Sequence, residues 1–73
     1  MSDAFRVGER VKVFLDSKFW RNEGWFDGTV VRIDPYSQNR SFYWIETDTE
    51  IESVQGGKTK LVSVLNPKNI QKK

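Results

Sequence analysis

Cysteine and histidine are both missing from the 73-residue chain. Without cysteine, no disulfide can staple the fold. Without either residue, a zinc site is close to excluded. The usual nucleophile–base pairs of hydrolases and transferases go with them. Carboxylate pairs remain for acid–base work, but a chain this short leaves little room for a deep pocket beside its core. We therefore expect a protein that is not an enzyme and holds no cofactor or metal. Proline occurs only twice, and no apolar run approaches the roughly 20 residues of a membrane span. Met1-Ser2-Asp3-Ala4-Phe5-Arg6 has no apolar stretch and does not read as a signal peptide. The expectation is a soluble, intracellular protein with no membrane partner. No segment carries the periodicity of a helix of useful length.

What is present is aromatic and charged. Phe, Trp and Tyr make up 14% of residues and must supply much of the core. Charged residues are 30%, with a net charge of +2, which permits nucleic-acid contact without demanding it. A domain of this length buries only roughly 60% of its unfolded surface.

The chain reads as strands cut by turns. "FRVGERVKVFL" puts Val7, Val11, Val13 and Leu15 on one parity and Arg10 and Lys12 on the other, a half-buried strand. "DSKFWRNEG" is a polar loop carrying Phe19 and Trp20. "WFDGTVVRID" is a second strand, apolar on both parities, and its Gly28 suggests a bend or a close approach of another backbone. "DPYSQNRS" reads as a turn, with Pro35 blocking ladder pairing and Ser37, Asn39 and Ser41 favouring local hydrogen bonds. Residues 42–54 form a third strand, and "KTKLVSVL" a fourth. Gly56-Gly57 between them suits a two-residue hairpin loop. That loop sets Ile51 opposite Val62, Thr49 opposite Val64, Glu52 opposite Leu61 and Glu50 opposite Ser63. "NPKNI" ends in a short helical turn presenting Ile70 as a plug, and residues 71–73 are a frayed basic tail.

Four to five strongly bent antiparallel strands and a terminal turn give an all-β fold, a small SH3-like barrel spanning residues 1–70. "VGERVKV", "GWFDGTVVRIDP", "NRSFYWIETD" and "LVSVLNPKNI" together resemble the Tudor-like members of the Royal superfamily, which includes Tudor, Agenet, chromo-barrel and spindlin-type domains. Many members bind methylated lysine or arginine in an aromatic cage, through a cation held over ring faces. By this resemblance Phe26 is the second-strand cage aromatic, Trp20, or Phe19 with it, belongs to the first-loop wall, and Asp48 is the acid after the third strand. Two positions depart from the pattern: Thr47 stands where an aromatic is usual, and Leu15 where Trp or Tyr is.

The expected function is recognition of a basic peptide, methylated or unmodified, of the histone-tail kind. Such a role fits chromatin, and the nucleus if the source is eukaryotic. Trp20, Phe26, Tyr43 and Trp44 form the aromatic surface, with Asp27 and Asp48 as acidic orienters; Tyr43 shares the parity of Ile45, which also suits the core. Glu46, Asp48, Glu50 and Glu52, on every second residue, would form an acidic ladder beside Trp44. That ladder attracts either a basic segment or only water. The alternative partner is DNA or RNA, through Lys12, Lys18, Arg21, Arg40, Lys58, Lys60 and Lys72 with interleaved aromatics. A third reading is a small structural subunit docked on a larger complex.

Overall fold

The computed structural model describes residues 5–38 and 40–73, so residues 1–4 and Asn39 of the expected turn lie outside the described residues. The first strand, β1, covers Arg10–Leu15 with a burial pattern that alternates as the sequence does. Val7 does not join its inner face. It is exposed, because Gly8 at φ +93° turns the chain before the strand begins.

The second strand, β2, covers Gly24–Ser37, and the third, β3, covers Arg40–Glu52. Their ladder shifts register at two places, between Val30 and Arg32 and between Pro35 and Ser37. The first bulge explains why β2 is apolar on both parities. One extra residue, Val31, swaps the faces, so Val30 and Ile33 both turn inward while Val31 is left exposed. The second bulge corrects the expected turn. Pro35 lies in the strand opposite Ser41, beside the bulge at Tyr36, and β2 runs on to Ser37. At Gly28 the other backbone comes close, as expected: a Cβ there would sit 2.6 Å from Ile45 Cγ2 and 2.7 Å from the Glu46 carbonyl oxygen.

The fourth strand, β4, covers Lys58–Val64, and its hairpin with β3 corrects the expected register. Val62 lies opposite Ile45, not Ile51, and Val64 opposite Tyr43, not Thr49. Ile51 faces Thr59; Glu46 and Trp44, not Glu52 and Glu50, face Leu61 and Ser63. Two features cause the offset. The loop is the three-residue kind, with Gly56 at φ +98°, the Gly56 amide donating to the Ser53 carbonyl and the Ser53 amide to Gly57. In addition, Thr47, Asp48, Thr49 and Glu50 together oppose only Lys60. Thr47 holds this wide bulge: its buried hydroxyl lies 2.7 Å from the Thr49 carbonyl and 3.2 Å from that of Lys60. From Ile51 to Ile45 the slip is even, so the faces survive although the pairs do not.

A 3-10 turn at Pro67–Asn69 follows, capped by Asn66, whose side chain accepts from the Lys68 amide. The expected tail is instead a fifth strand, β5, at Ile70–Lys72, antiparallel to β1. Ile70 is the buried plug that the sequence suggested.

The sheet order is β4-β3-β2-β1-β5, with every pair antiparallel. The two outermost strands still share one core: Val62 and Val64 of β4 and Ile70 of β5 join Phe5, Val11, Val13, Leu15, Val30, Tyr43, Ile45 and Ile51 in a single buried cluster. A flat sheet cannot bring its edges to one cluster, so this one curls into a small barrel. Among the described residues, no helix is long and apolar enough to cross a membrane.

Candidate functional site

The expected surface residues do not converge. Tyr43 is 9% exposed and meets Phe5 edge-on at 5.3 Å, so it belongs to the core and not to a recognition surface. Phe26 faces Val13 across the β1–β2 ladder and packs against the core from the inner side. Trp44 lies on the opposite, outer side of the sheet. Its indole N–H donates to Asp34 at 2.9 Å, and the same carboxylate accepts from Arg32. Among the described residues, the ring pairs are Phe5–Tyr43, Phe14–Trp25 and Tyr36–Phe42. None of them joins two of the four expected cage aromatics, and Trp44 stands on the sheet face opposite Phe26 and Tyr43.

The two expected acidic orienters are occupied. Asp48 receives both guanidinium nitrogens of Arg10, one of them at 2.8 Å. This hydrogen-bonded pairing holds the Asp48 carboxyl below its ordinary range and raises the Arg10 guanidinium further. Asp27 accepts from the Lys73 ammonium at 2.9 Å. The acidic ladder is broken as well. The bulge at 47–50 interrupts its alternation, so Thr49 is exposed like the acids on either side. Glu52 lies 3.6 Å from Arg21.

The cations expected for nucleic acid are scattered. Lys12 lies on β1, Lys18 and Arg21 in the β1–β2 loop, Arg40 at the start of β3, Lys58 and Lys60 on β4, and Lys72 on β5. Lys72 pairs with Glu9 at 3.8 Å, and Arg21 with Glu52. A phosphate track needs a stripe of free cations, and two of these seven are already paired.

One expected residue, Trp20, stands in a different setting. It lines a cleft of about 240 Å³ between the end of β1 and the end of β4. The walls are Val13, Phe14, Leu15 and Asp16 on one side and Val62, Ser63, Val64 and Leu65 on the other, with Phe19, Trp20 and Asn69 at the rim. Only Asp16 carries a charge.

The loop that carries Phe19 and Trp20 is built, not loose. The Asp16 carbonyl accepts from the amides of Phe19 and Trp20, and its carboxylate Oδ1 accepts from the Lys18 amide at 2.9 Å. The far end of the loop is tied to β3. The Arg21 amide donates to the Glu52 carbonyl at 2.8 Å, and the Val54 amide to the Phe19 carbonyl at 3.0 Å. Asn22 Oδ1 accepts from the Glu52 amide. Trp20 packs part of its ring on the core, whereas Phe19 is 65% exposed. Ordered backbone therefore holds the exposed phenyl of Phe19 in a fixed place beside the cleft.

Sequence reasoning found Trp20 and noted Phe19, but it missed Asp16, Leu65 and Asn69. These join the cleft only through the curl of the sheet, which a strand pattern does not report. The one legible signal was Asp16 itself, an Asx residue two positions before Lys18 at a strand end.

Comparison of the chain with protein-family models, with curated proteins and with solved structures finds no match.

Proposed function

We propose that this protein is a non-enzymatic binding module that takes a basic side chain of a partner peptide into the cleft between β1 and β4. The observation that carries this reading is the cleft's composition. Two aromatic rings and one carboxylate rim an otherwise uncharged slot. A lysine or arginine has an aliphatic stem for the aromatic side chains and a cation for the rings and the acid. A cation over an aromatic face contributes about 0.5–1 kcal/mol where exposed and about 2 where desolvated. Asp16 is already oriented through Oδ1, and Oδ2 has no partner among the described residues. The cleft, at about 240 Å³, is smaller than the roughly 300–1,000 Å³ usual for small-molecule sites. A side chain whose own main chain lies at the open edge suits it better than an enclosed metabolite.

This reading keeps the expectation of a basic peptide ligand and moves its site. Trp20 stays with Phe19 beside it, Asp16 joins them, and Phe26, Tyr43, Trp44, Asp27 and Asp48 leave. N-methylation of the ligand lysine is compatible, because it spreads the cation's charge and makes its shell less polar.

The test is affinity for an array of lysine- and arginine-containing peptides, unmodified and trimethylated, measured for the native chain and three variants. Asp16→Asn keeps the turn-forming side chain and removes the charge. Phe19→Ala removes an exposed ring with little effect on stability. Each is expected to weaken binding by about three- to tenfold. Asp48→Asn, on the expected but occupied acid, changes affinity less than twofold or so. Binding that survives Phe19→Ala and Asp16→Asn contradicts the proposal. So does a preference for DNA whose affinity falls steeply with salt, which would favour the nucleic-acid reading.

A further inference from the structure

The cleft is lined by consecutive residues. Val13, Phe14, Leu15 and Asp16 run along one wall, and Val62, Ser63, Val64 and Leu65 along the other. Side chains of a strand alternate between faces, so a cavity facing one side of a strand touches every second residue. Contact with successive residues means that the cavity faces the strand's edge, where the main chain lies.

Both walls are free edges. Among the described residues, β4 is the last strand of the sheet and pairs only with β3. β5 covers β1 only from Val11 to Val13, which leaves Phe14 and Leu15 paired on the β2 side alone. Among the described residues, no backbone hydrogen bond outside the β3 ladder reaches residues 62–65. The barrel therefore has an open seam, walled by main-chain groups that nothing among the described residues pairs.

The two halves of the β4 edge differ in chemistry. Its beginning carries Lys58 and Lys60, charges of the type that keep an edge from pairing with strangers. Its end, Leu61-Val62-Ser63-Val64-Leu65, is uncharged and rich in β-branched residues. The unprotected half is the half that lines the cleft.

We infer that the peptide partner binds by strand addition. Its main chain pairs with the free edge of β4 along residues 62–65 as a further strand in the seam, while one basic side chain reaches Asp16, Phe19 and Trp20. The occupant is an extended segment of a different chain, uncharged except for that cation. The composition argues for this: the seam offers one anion and no cation, so a basic segment is matched and an acidic one is not. Main-chain pairing supplies affinity, and the side-chain site supplies selection. This inference rests on the cleft reading above and adds to it the conformation of the ligand.

The experiment separates the two. A synthetic library of capped seven-residue peptides with a central arginine is screened for binding, and the tightest is resynthesised with each backbone amide N-methylated in turn. Strand addition predicts an alternating result. Methylation at every second amide weakens binding by about tenfold, since each removes one ladder donor, while the amides between tolerate it. In the complex, alternate amides within residues 62–65 exchange about tenfold more slowly with solvent. Methylation tolerated at every position, with binding still lost in Phe19→Ala, overturns strand addition and leaves the side-chain site standing. A library with no binder overturns both. Slow exchange at residues 62–65 that appears without peptide and depends on protein concentration also overturns the inference, because the occupant is then a second copy of this chain.

Discussion

Single atoms set the tolerances of this barrel. Gly28 is the clearest case, because the backbone of β3 crosses where a side chain would stand. An added methyl would meet Ile45 Cγ2 at 2.6 Å and the Glu46 carbonyl oxygen at 2.7 Å, and a carbonyl in a ladder cannot move aside. Gly28→Ala should destabilise the fold by about 1–3 kcal/mol, the range of forced overpacking. In a domain this small, that lowers the melting temperature by on the order of 5–20 °C, readable by circular dichroism. An unchanged melting temperature would mean that the two strands lie further apart there. The glycine was legible in the sequence as a point of close approach, but nothing there named Ile45 as the neighbour.

Arg10 and Asp48 make a second prediction at this scale. The pairing lowers the Asp48 carboxyl below its ordinary value. A depressed acid contributes stability above its unfolded value, and the contribution is lost as pH falls through the lower folded value. Stability should therefore decline as the pH falls from the ordinary carboxylate range toward more acidic values. Asp48→Asn should flatten that part of the profile and lower neutral stability by the same amount, a small one because both partners are substantially exposed. Urea midpoints of the two proteins across that range check it; parallel profiles would show that Asp48 contributes nothing to the acid slope.

At the scale of elements, the β3–β4 hairpin depends on one hydroxyl. Thr47 is buried where the neighbouring pattern asks for an apolar residue, and its Oγ1 lies within hydrogen-bond reach of two carbonyls across the wide bulge. Thr47→Val keeps the shape and removes the donor, leaving buried acceptors short of a partner. The expected cost is about 1–2 kcal/mol, with faster amide exchange around residues 47–50. A variant as stable as the native chain would mean that the bulge is held by its flanking ladders alone. This element also marks what the sequence hid. The strands, the turn glycine and the inward parity of Tyr43, Ile45 and Ile51 were readable from alternation. The bulge was not, because Thr47-Asp48-Thr49-Glu50 continues the alternating pattern without a break while the ladder slips beneath it. Pro35 misled in the opposite sense. Its missing N–H argued for a turn, but a bulge beside it lets the strand continue. The pairing of Gln71 and Lys72 with β1 was equally hidden, since two polar residues at a chain end carry no strand signal of their own.

For the molecule as a whole, the curl of the sheet brings the end of β1 and the end of β4 together without pairing them. The seam that results is where the barrel is incomplete, and the ordered loop at 16–23 sets two aromatic rings and a carboxylate at its mouth. Convergence of this kind is a property of closure. Residues 16 and 20 are far in sequence from residues 65 and 69, and their neighbourhood follows from the curl of the sheet, so the site was less legible than the fold. On the outer face, Trp44 is tied to Asp34 and Asp48 to Arg10. That face has less to offer a ligand than its composition suggests.

The central claim is that the seam, and not the outer face, receives the basic peptide. The most direct measurement is a map of amide chemical-shift changes on titration with the tightest arginine peptide. The account predicts that the changes concentrate at residues 13–20, 62–65 and 69, with the Trp20 indole resonance among them and the Trp44 indole unmoved. Changes centred on Trp44, Glu46 and Arg32, with the seam silent, would contradict it.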